Sequence, residues 1–159
     1  MKSITLPQLK TCCGCGSLQS GSKLFGFIAL VGSLLICIEC AFGIILLHVE
    51  PKYVTVTAGA LCIELMVHLV HAVTSVCLLL GIYQKKPNLM FWWLISAMVI
   101  LLMEAFLLPS LLIRALHIHL PYDQDYKMVA ITLLMLFDDV YGWLVVLSYY
   151  RMLTPQDLV

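Results

Sequence analysis

Charged residues are scarce in this chain, making up 11% of its 159 residues, whereas a soluble domain carries about 25%. Hydrophobic residues reach 62%, and the mean hydropathy is +1.02. Lys and Arg are missing altogether from four long apolar stretches, residues 24–49, 57–83, 90–113 and 128–150. Each stretch exceeds the roughly 20 residues that an α-helix needs to cross about 30 Å of hydrocarbon. The composition excludes an ordinary soluble domain and predicts an all-α integral membrane protein with four transmembrane helices.

The segments between these stretches are short. Residues 50–56 and 84–89 leave room only for turns, so neighbouring helices must pack antiparallel. We therefore expect a single domain over residues 1–159, an antiparallel four-helix bundle with an N-terminal tail of residues 1–23 and a C-terminal tail of residues 151–159. The first stretch is too long for a signal-peptide core and lacks a small-residue cleavage site, so we expect a retained helix.

Basic residues are distributed unevenly about the predicted helices. Six would lie on the side of the two termini and three on the other, and the excess of Lys and Arg marks the cytosolic side. The first set is Lys2, Lys10, Lys23, Lys85, Lys86 and Arg151, and the second is Lys52, Arg114 and Lys127. The pattern predicts that both termini are cytosolic.

Signals for chemistry or for a folded ectodomain are also missing. The sequence has no Asn-x-Ser/Thr sequon, and the predicted outer connection, residues 114–127, has no Cys. It shows no nucleophile–base spacing, metal-ligand set or phosphate-binding loop, so we predict no enzymatic activity and no metal. His117 and His119 could bind a metal, but we interpret this pair as a solvated part of the loop.

Five of the nine acidic residues lie inside the apolar stretches, namely Glu39, Glu64, Glu104, Asp138 and Asp139. A carboxylate in hydrocarbon costs about several kcal/mol unless it is protonated, paired or hydrated. On the second helix, His68 and His71 share a face with Glu64 because the spacing is i, i+4, i+7. We call these seven residues the polar seam and predict that they face other helices.

Two hypotheses account for the polar seam. In the first, its side chains form hydrogen bonds between helices, within the bundle or to a partner helix. In the second, the carboxyls form a proton or cation site with the imidazoles as relays. Glu104→Gln combined with Asp138→Asn would abolish a transport current, whereas an assembly protein would have no current to lose.

A run of three cysteines, Cys12, Cys13 and Cys15, lies shortly before the first stretch. We call it the cysteine run. Cytosolic Cys close to a membrane is the usual substrate of S-palmitoylation, so we predict lipidation here and no other cofactor. Zinc fits less well, because three clustered thiols without a nearby His make a poor tetrahedral set. The C-terminal residues 156–159 could bind a PDZ domain by strand addition.

The segment Cys12-Cys13-Gly14-Cys15, followed by Ser20-Gly21-Ser22 and Gly26, resembles a known pattern. It is similar to the start of the lysosome-associated transmembrane (LAPTM-like) family and of related small arthropod four-transmembrane (Pasiflora-like) proteins, which include septate-junction components. The arthropod group is the closer resemblance, because the outer loops are short and the Pro-Tyr tail motifs of LAPTM-like proteins are missing.

The resemblance implies a four-helix protein of a cell junction or an endolysosomal membrane. We therefore expect a non-enzymatic structural or accessory component of a membrane complex, with the plasma membrane favoured over the endolysosomal membrane. The expected partners are membrane lipids, other integral membrane proteins and a PDZ protein, with no nucleic acid. The alternatives are an endolysosomal sorting or accessory protein, a proton or cation transporter, and an auxiliary channel subunit.

Overall fold

The computed structural model describes residues 11–12, 16–49, 58–117 and 123–154. These residues form four α-helices, α1 (Leu18–Val49), α2 (Ala58–Gln84), α3 (Pro87–His117) and α4 (Asp123–Leu153). The predicted all-α four-helix bundle is confirmed. Helices α1, α3 and α4 are longer than the apolar stretches that predicted them, whereas α2 has the same length and is shifted by one residue.

Helix α1 begins at Leu18, six residues before the apolar stretch that predicted it. Ser17 caps this end, because its Oγ accepts a hydrogen bond from the backbone N–H of Ser20 at 3.1 Å. Ser is among the preferred N-cap residues for this reason. The start of α1 is therefore set by the residue that caps its first free backbone N–H groups. It is not set by the first residue of the apolar stretch.

The α2–α3 connection is a turn of two residues. Lys85 takes the left-handed conformation (φ 53°), and the N–H of Lys86 donates to the carbonyl of Gly81 at 2.9 Å. This is the Schellman arrangement that ends many helices. Pro87 then starts α3, where its fixed φ suits the first helical turn and its missing N–H costs nothing. The turn therefore sets α2 and α3 antiparallel.

Helices α3 and α4 extend into the segment predicted as the outer connection. Residues 114–127 were expected to be loop, yet α3 continues to His117 and α4 starts at Asp123. Polar residues are compatible with a helix. Helices end at capping residues and at Pro or Gly. Pro109 lies inside α3 without ending it.

The helices pack in a ring in which each contacts its sequence neighbours and α4 returns to α1. Paired positions run in opposite directions along every interface, so all four neighbours are antiparallel. The pairs include Gly26 with Leu78 and Cys37 with Leu65 between α1 and α2, Trp93 with Ser75 and Met90 with Gly81 between α2 and α3, Trp143 with Leu94 and Tyr150 with Phe91 between α3 and α4, and Phe25 with Tyr141 and Gly21 with Val145 between α1 and α4.

The tightly packed core lies at the end of the bundle that holds the start of α1, the α2–α3 turn and the end of α4. Its fully buried side chains include Leu78, Ile82, Met90, Val145 and Val146. Glycines bring the backbones together there, as is common where small residues let transmembrane helices approach. A Cβ on Gly142 would lie 2.7 Å from Phe25 Cδ1, so α1 and α4 touch closely at this level.

Each helix contains a stretch long and apolar enough to cross a membrane: Leu18–Leu46, Ala58–Gln84, Pro87–Phe106 and Val129–Leu153. The outer surface of the bundle is also apolar. Large side chains such as Phe42, Trp92, Phe106 and Phe137 are between 60 and 80% exposed. Exposed apolar surface of this extent marks contact with a membrane or with other proteins.

Candidate functional site

Two carboxyl groups meet between α3 and α4. The side chains of Glu104 and Asp139 lie within hydrogen-bonding reach of each other. Two carboxyls can share a hydrogen bond only if one of them carries a proton, because two carboxylates offer acceptors alone. Glu104 Oε2 is buried and has no hydrogen-bond partner among the described residues. This oxygen of the pair is therefore left for a group that enters the site.

His71 is held between α2 and α3 by a chain of polar contacts. Its Nδ1 lies 2.9 Å from Ser96 Oγ, and that hydroxyl lies 2.7 Å from Thr74 Oγ1. The imidazole is 6% exposed and stacks at 5.7 Å, between ring centroids, on Trp93. These contacts fix the ring against α3 and leave His71 on the wall of an internal space.

That space is a cleft of about 620 Å³ lined by all four helices. Its acidic residues and histidines are His68, His71, Glu104, Asp138 and Asp139. Its other walls are apolar or small, formed by Ile28, Ala29, Gly32, Ser33 and Ile36 of α1, Ile100 of α3, and Leu134, Met135, Phe137 and Tyr141 of α4. Small-molecule and partner sites have this composition, a mostly apolar wall with a few convergent polar groups.

A smaller void shares part of its wall with the cleft. It measures about 20 Å³, and its walls include Phe25, Trp93 and Gly142 beside Asp138 and Asp139. That is room for about one water, which would need polar partners to stay. The two carboxyls on its wall supply such partners.

The polar seam predicted from the sequence is divided by the structure. Five of its seven residues line the cleft, and two lie elsewhere. Glu39 is exposed on the outer side of α1. Glu64 lies at the α1–α2 contact, where its carboxyl reaches the buried thiol of Cys40. The i, i+4, i+7 spacing therefore brings His68 and His71 to the cleft, but Glu64 turns to α1.

The cysteine run is described only at its first residue. Cys12 is 5% exposed, exchanges two backbone hydrogen bonds of 2.9 Å with Gly16, and packs its side chain against Gly21. Its thiol is therefore shielded from an acylating enzyme in this arrangement. Cys13 and Cys15 lie outside the described residues, as do His119 and the tail residues 156–159. Among the residues that the structure describes, no group of three His, Cys, Asp or Glu is placed to hold a metal ion.

The second, third and fourth helices match a known family model. Residues 63–154, more than half of the chain, match a domain of unknown function, DUF4728. The chain belongs to the DUF4728 family. No curated protein and no solved structure matches it.

The DUF4728 match contains every acidic residue and histidine of the cleft. His68, His71, Glu104, Asp138 and Asp139 all fall within residues 63–154. The α1 wall of the cleft, Glu39 and the cysteine run fall outside it. The polar part of the site is thus carried by the DUF4728 region, and α1 closes it from one side.

A buried polar network in the DUF4728 region was missed by the reasoning from sequence. Ser75 Oγ donates to the carbonyl of His71 at 2.8 Å and accepts from Trp93 Nε1 at 3.1 Å. Trp143 Nε1 donates to the carbonyl of Leu94 at 3.2 Å, which joins α4 to α3. The tryptophans themselves were the available signal in the sequence, because a buried indole N–H usually donates to a hydrogen-bond acceptor.

Proposed function

We propose that this DUF4728 protein spans a membrane four times with both termini cytosolic and acts, without enzymatic activity, by lateral assembly. It would serve as a structural or accessory component of a membrane complex. One observation carries the proposal: ionisable side chains line a cleft on the side of a bundle whose own apolar stretches contain no Lys or Arg. Such residues in a membrane pair with other groups, and the described residues that line the cleft include no Lys or Arg.

The resemblance of the cysteine run and the following residues to Pasiflora-like proteins supports a cell junction of the plasma membrane as the setting. An endolysosomal membrane is the alternative, since the LAPTM-like family shares the pattern. Lipidation of Cys13 and Cys15 would favour a particular membrane domain, and the C-terminal residues 156–159 would recruit a PDZ protein.

The test is a mild-detergent purification of the tagged full chain from its native tissue, with quantitative mass spectrometry of the proteins that accompany it. The proposal predicts a stoichiometric set of other integral membrane proteins. The double variant Asp138→Asn/Asp139→Asn should lose them, whereas Glu39→Gln should keep them, because Glu39 lies outside the cleft. A lone monomer in every preparation would contradict assembly.

A proton or cation transporter is the second candidate, and the Glu104–Asp139 contact favours it, since paired carboxyls and nearby imidazoles are the groups that proton relays use. Purified protein in liposomes with an internal pH dye tests this function. Flux that Glu104→Gln and Asp138→Asn abolish, with the fold retained, would establish transport. No flux above protein-free liposomes would leave assembly as the function.

A further inference from the structure

The cleft opens sideways between α1 and α4. These two helices touch where Phe25 packs edge-on against Tyr141, with ring centroids 5.7 Å apart, and Gly21 lies against Val145. Beyond this contact the cleft separates them. Its α4 wall includes Leu134 at 72% and Phe137 at 73% exposure, so the mouth faces the surroundings of the bundle and not its axis.

The depth of the cleft corresponds to the middle of the membrane-crossing stretches. Gly32 and Ser33 are close to the centre of Leu18–Leu46 on α1, and Asp138 lies near the centre of Val129–Leu153 on α4. An occupant at this level is surrounded by hydrocarbon on the open side. In a bundle that spans the membrane as proposed, soluble proteins do not reach this level, so a membrane-embedded group is the fitting occupant.

The volume limits how an occupant enters. A helix about 10 Å across with a pitch of about 5.4 Å fills roughly 400 Å³ per turn. The 620 Å³ of the cleft therefore equals only about one and a half turns of such a helix, far less than a membrane-spanning helix needs. A partner helix would lie along the mouth and insert side chains between α1 and α4.

The charge of the cleft specifies what should be inserted. Three carboxyls converge there, and Asp138 is exposed at the mouth. The nearby cation of α1, Lys23, is placed elsewhere, with Nζ 4.3 Å from the centroid of the Tyr83 ring. Glu104 Oε2 and His68 Nδ1 are buried and have no hydrogen-bond partner among the described residues. A guanidinium or ammonium group supplies both the charge and a hydrogen-bond donor for Glu104 Oε2.

The α1 wall also permits close approach. A Cβ built on Gly32 would meet no atom within 4 Å, so this position faces the open cleft. The Ser33 hydroxyl already donates a hydrogen bond to the carbonyl of Ala29 at 2.7 Å, so it needs no donor or acceptor from an occupant of the cleft. Small residues of this kind let a second helix approach the backbone.

We propose that the α1/α4 cleft is a docking site for a transmembrane helix of another protein, and that this helix inserts one Lys or Arg side chain toward Asp138 and Glu104. This inference rests on the proposed function, since it names the chemistry of the assembly partner. A second copy of this chain is not the expected occupant, because its own apolar stretches offer no Lys or Arg.

The test uses the purified full chain in liposomes and a defined probe. The probe is a labelled Leu/Ala helix of about 20 residues with one central Lys, and its control carries Leu at that position. Energy transfer from labelled protein to probe measures binding. The Lys helix should bind at least about tenfold more tightly than the Leu helix, as expected for a paired charge in a low-dielectric site.

Three variants locate the site. Asp138→Asn with Glu104→Gln should remove the preference for Lys, while Glu39→Gln, an acid of α1 outside the cleft, should keep it. Gly32→Leu should block both probes by filling the cleft, and the free space at this position means that the fold should be retained. Far-UV circular dichroism establishes folding for each variant.

Equal binding of the Lys and Leu helices would overturn the docking site, as would a preference for Lys that depends on Glu39. Energy transfer between copies of the chain that Gly32→Leu abolishes would also overturn it, in favour of self-association. The native purification separates this failure from that of the proposed function. A native complex that survives the cleft variants would leave lateral assembly standing, with its interface elsewhere.

Discussion

Replacing Ser75 with Ala tests whether the α2–α3 wall of the cleft is held by a buried hydrogen bond. Ser75 is fully buried and is the acceptor for Trp93 Nε1, which is itself 4% exposed. The substitution deletes the acceptor and leaves an indole N–H without a partner in an apolar environment. Because the His71 ring packs against Trp93, the wall of the cleft should loosen with the core.

The expected magnitude follows from what is lost. An interhelical hydrogen bond between transmembrane helices contributes about 0.6 to 2 kcal/mol, and a buried donor left unsatisfied costs about 1 to 3 kcal/mol. The Ala side chain itself removes no large volume. We therefore expect Ser75→Ala to lower the free energy of unfolding by about 1 to 3 kcal/mol.

Ser33→Ala is the matched control. Ser33 is also buried, at 3% exposure, but among the described residues its Oγ bonds only to the carbonyl of Ala29, one turn earlier on the same helix. Local bonds of this kind add little to helix stability, so we expect a change below about 0.5 kcal/mol. Both variants remove the hydroxyl of one buried serine. They differ because the Ser75 hydroxyl accepts a hydrogen bond from another helix, whereas the Ser33 hydroxyl bonds within its own helix.

Unfolding of the purified full chain in mixed micelles by added sodium dodecyl sulfate, followed by far-UV circular dichroism, measures both changes. Trp93→Phe and the double variant with Ser75→Ala complete a thermodynamic cycle, whose coupling energy should be about 0.5 to 2 kcal/mol. Equal effects of Ser75→Ala and Ser33→Ala, together with zero coupling, would refute the reasoning.

Three further predictions use the same preparations. Gly142→Ala should destabilise the bundle by about 1 to 3 kcal/mol in the same titration, because its Cβ would overlap the Phe25 ring, whereas Gly32→Ala should not. Trp143→Phe should cost about 0.6 to 2 kcal/mol by removing the α4–α3 hydrogen bond; an unchanged midpoint would contradict this. Acyl-exchange labelling of the cysteine run should survive Cys12→Ser, because that thiol is buried; its loss would mean that Cys12 is the acylated residue.

Several features of the fold are readable without coordinates. Four apolar stretches free of Lys and Arg predict four helices, because chain length alone relates a stretch to a membrane crossing. Short connections predict antiparallel neighbours. The ends of the helices were less predictable, since Ser17 and Lys85 set them by local hydrogen bonding and backbone conformation, which apolar content does not report.

The candidate site, like the fold, could be predicted from the sequence only in part. Its composition, acids and imidazoles at one depth, follows from counting along each helix, because 1.5 Å of rise per residue turns position into depth. Rotation about the helix axis does not follow, since a helix that is apolar on all sides presents no distinct face to the sequence. Packing decided it.

The outcome for three acids illustrates this limit. Glu39 and Glu104 look equivalent in the sequence, each a single acid in an apolar stretch. The glycine contacts and the Trp93 and Trp143 hydrogen bonds rotate the helices so that Glu104 meets Asp139 beside the cleft, while Glu39 faces outward. The sequence by itself determined which acids and histidines lie within the apolar stretches of the helices. Only tertiary packing, through side-chain fit between helices, decided which of them meet.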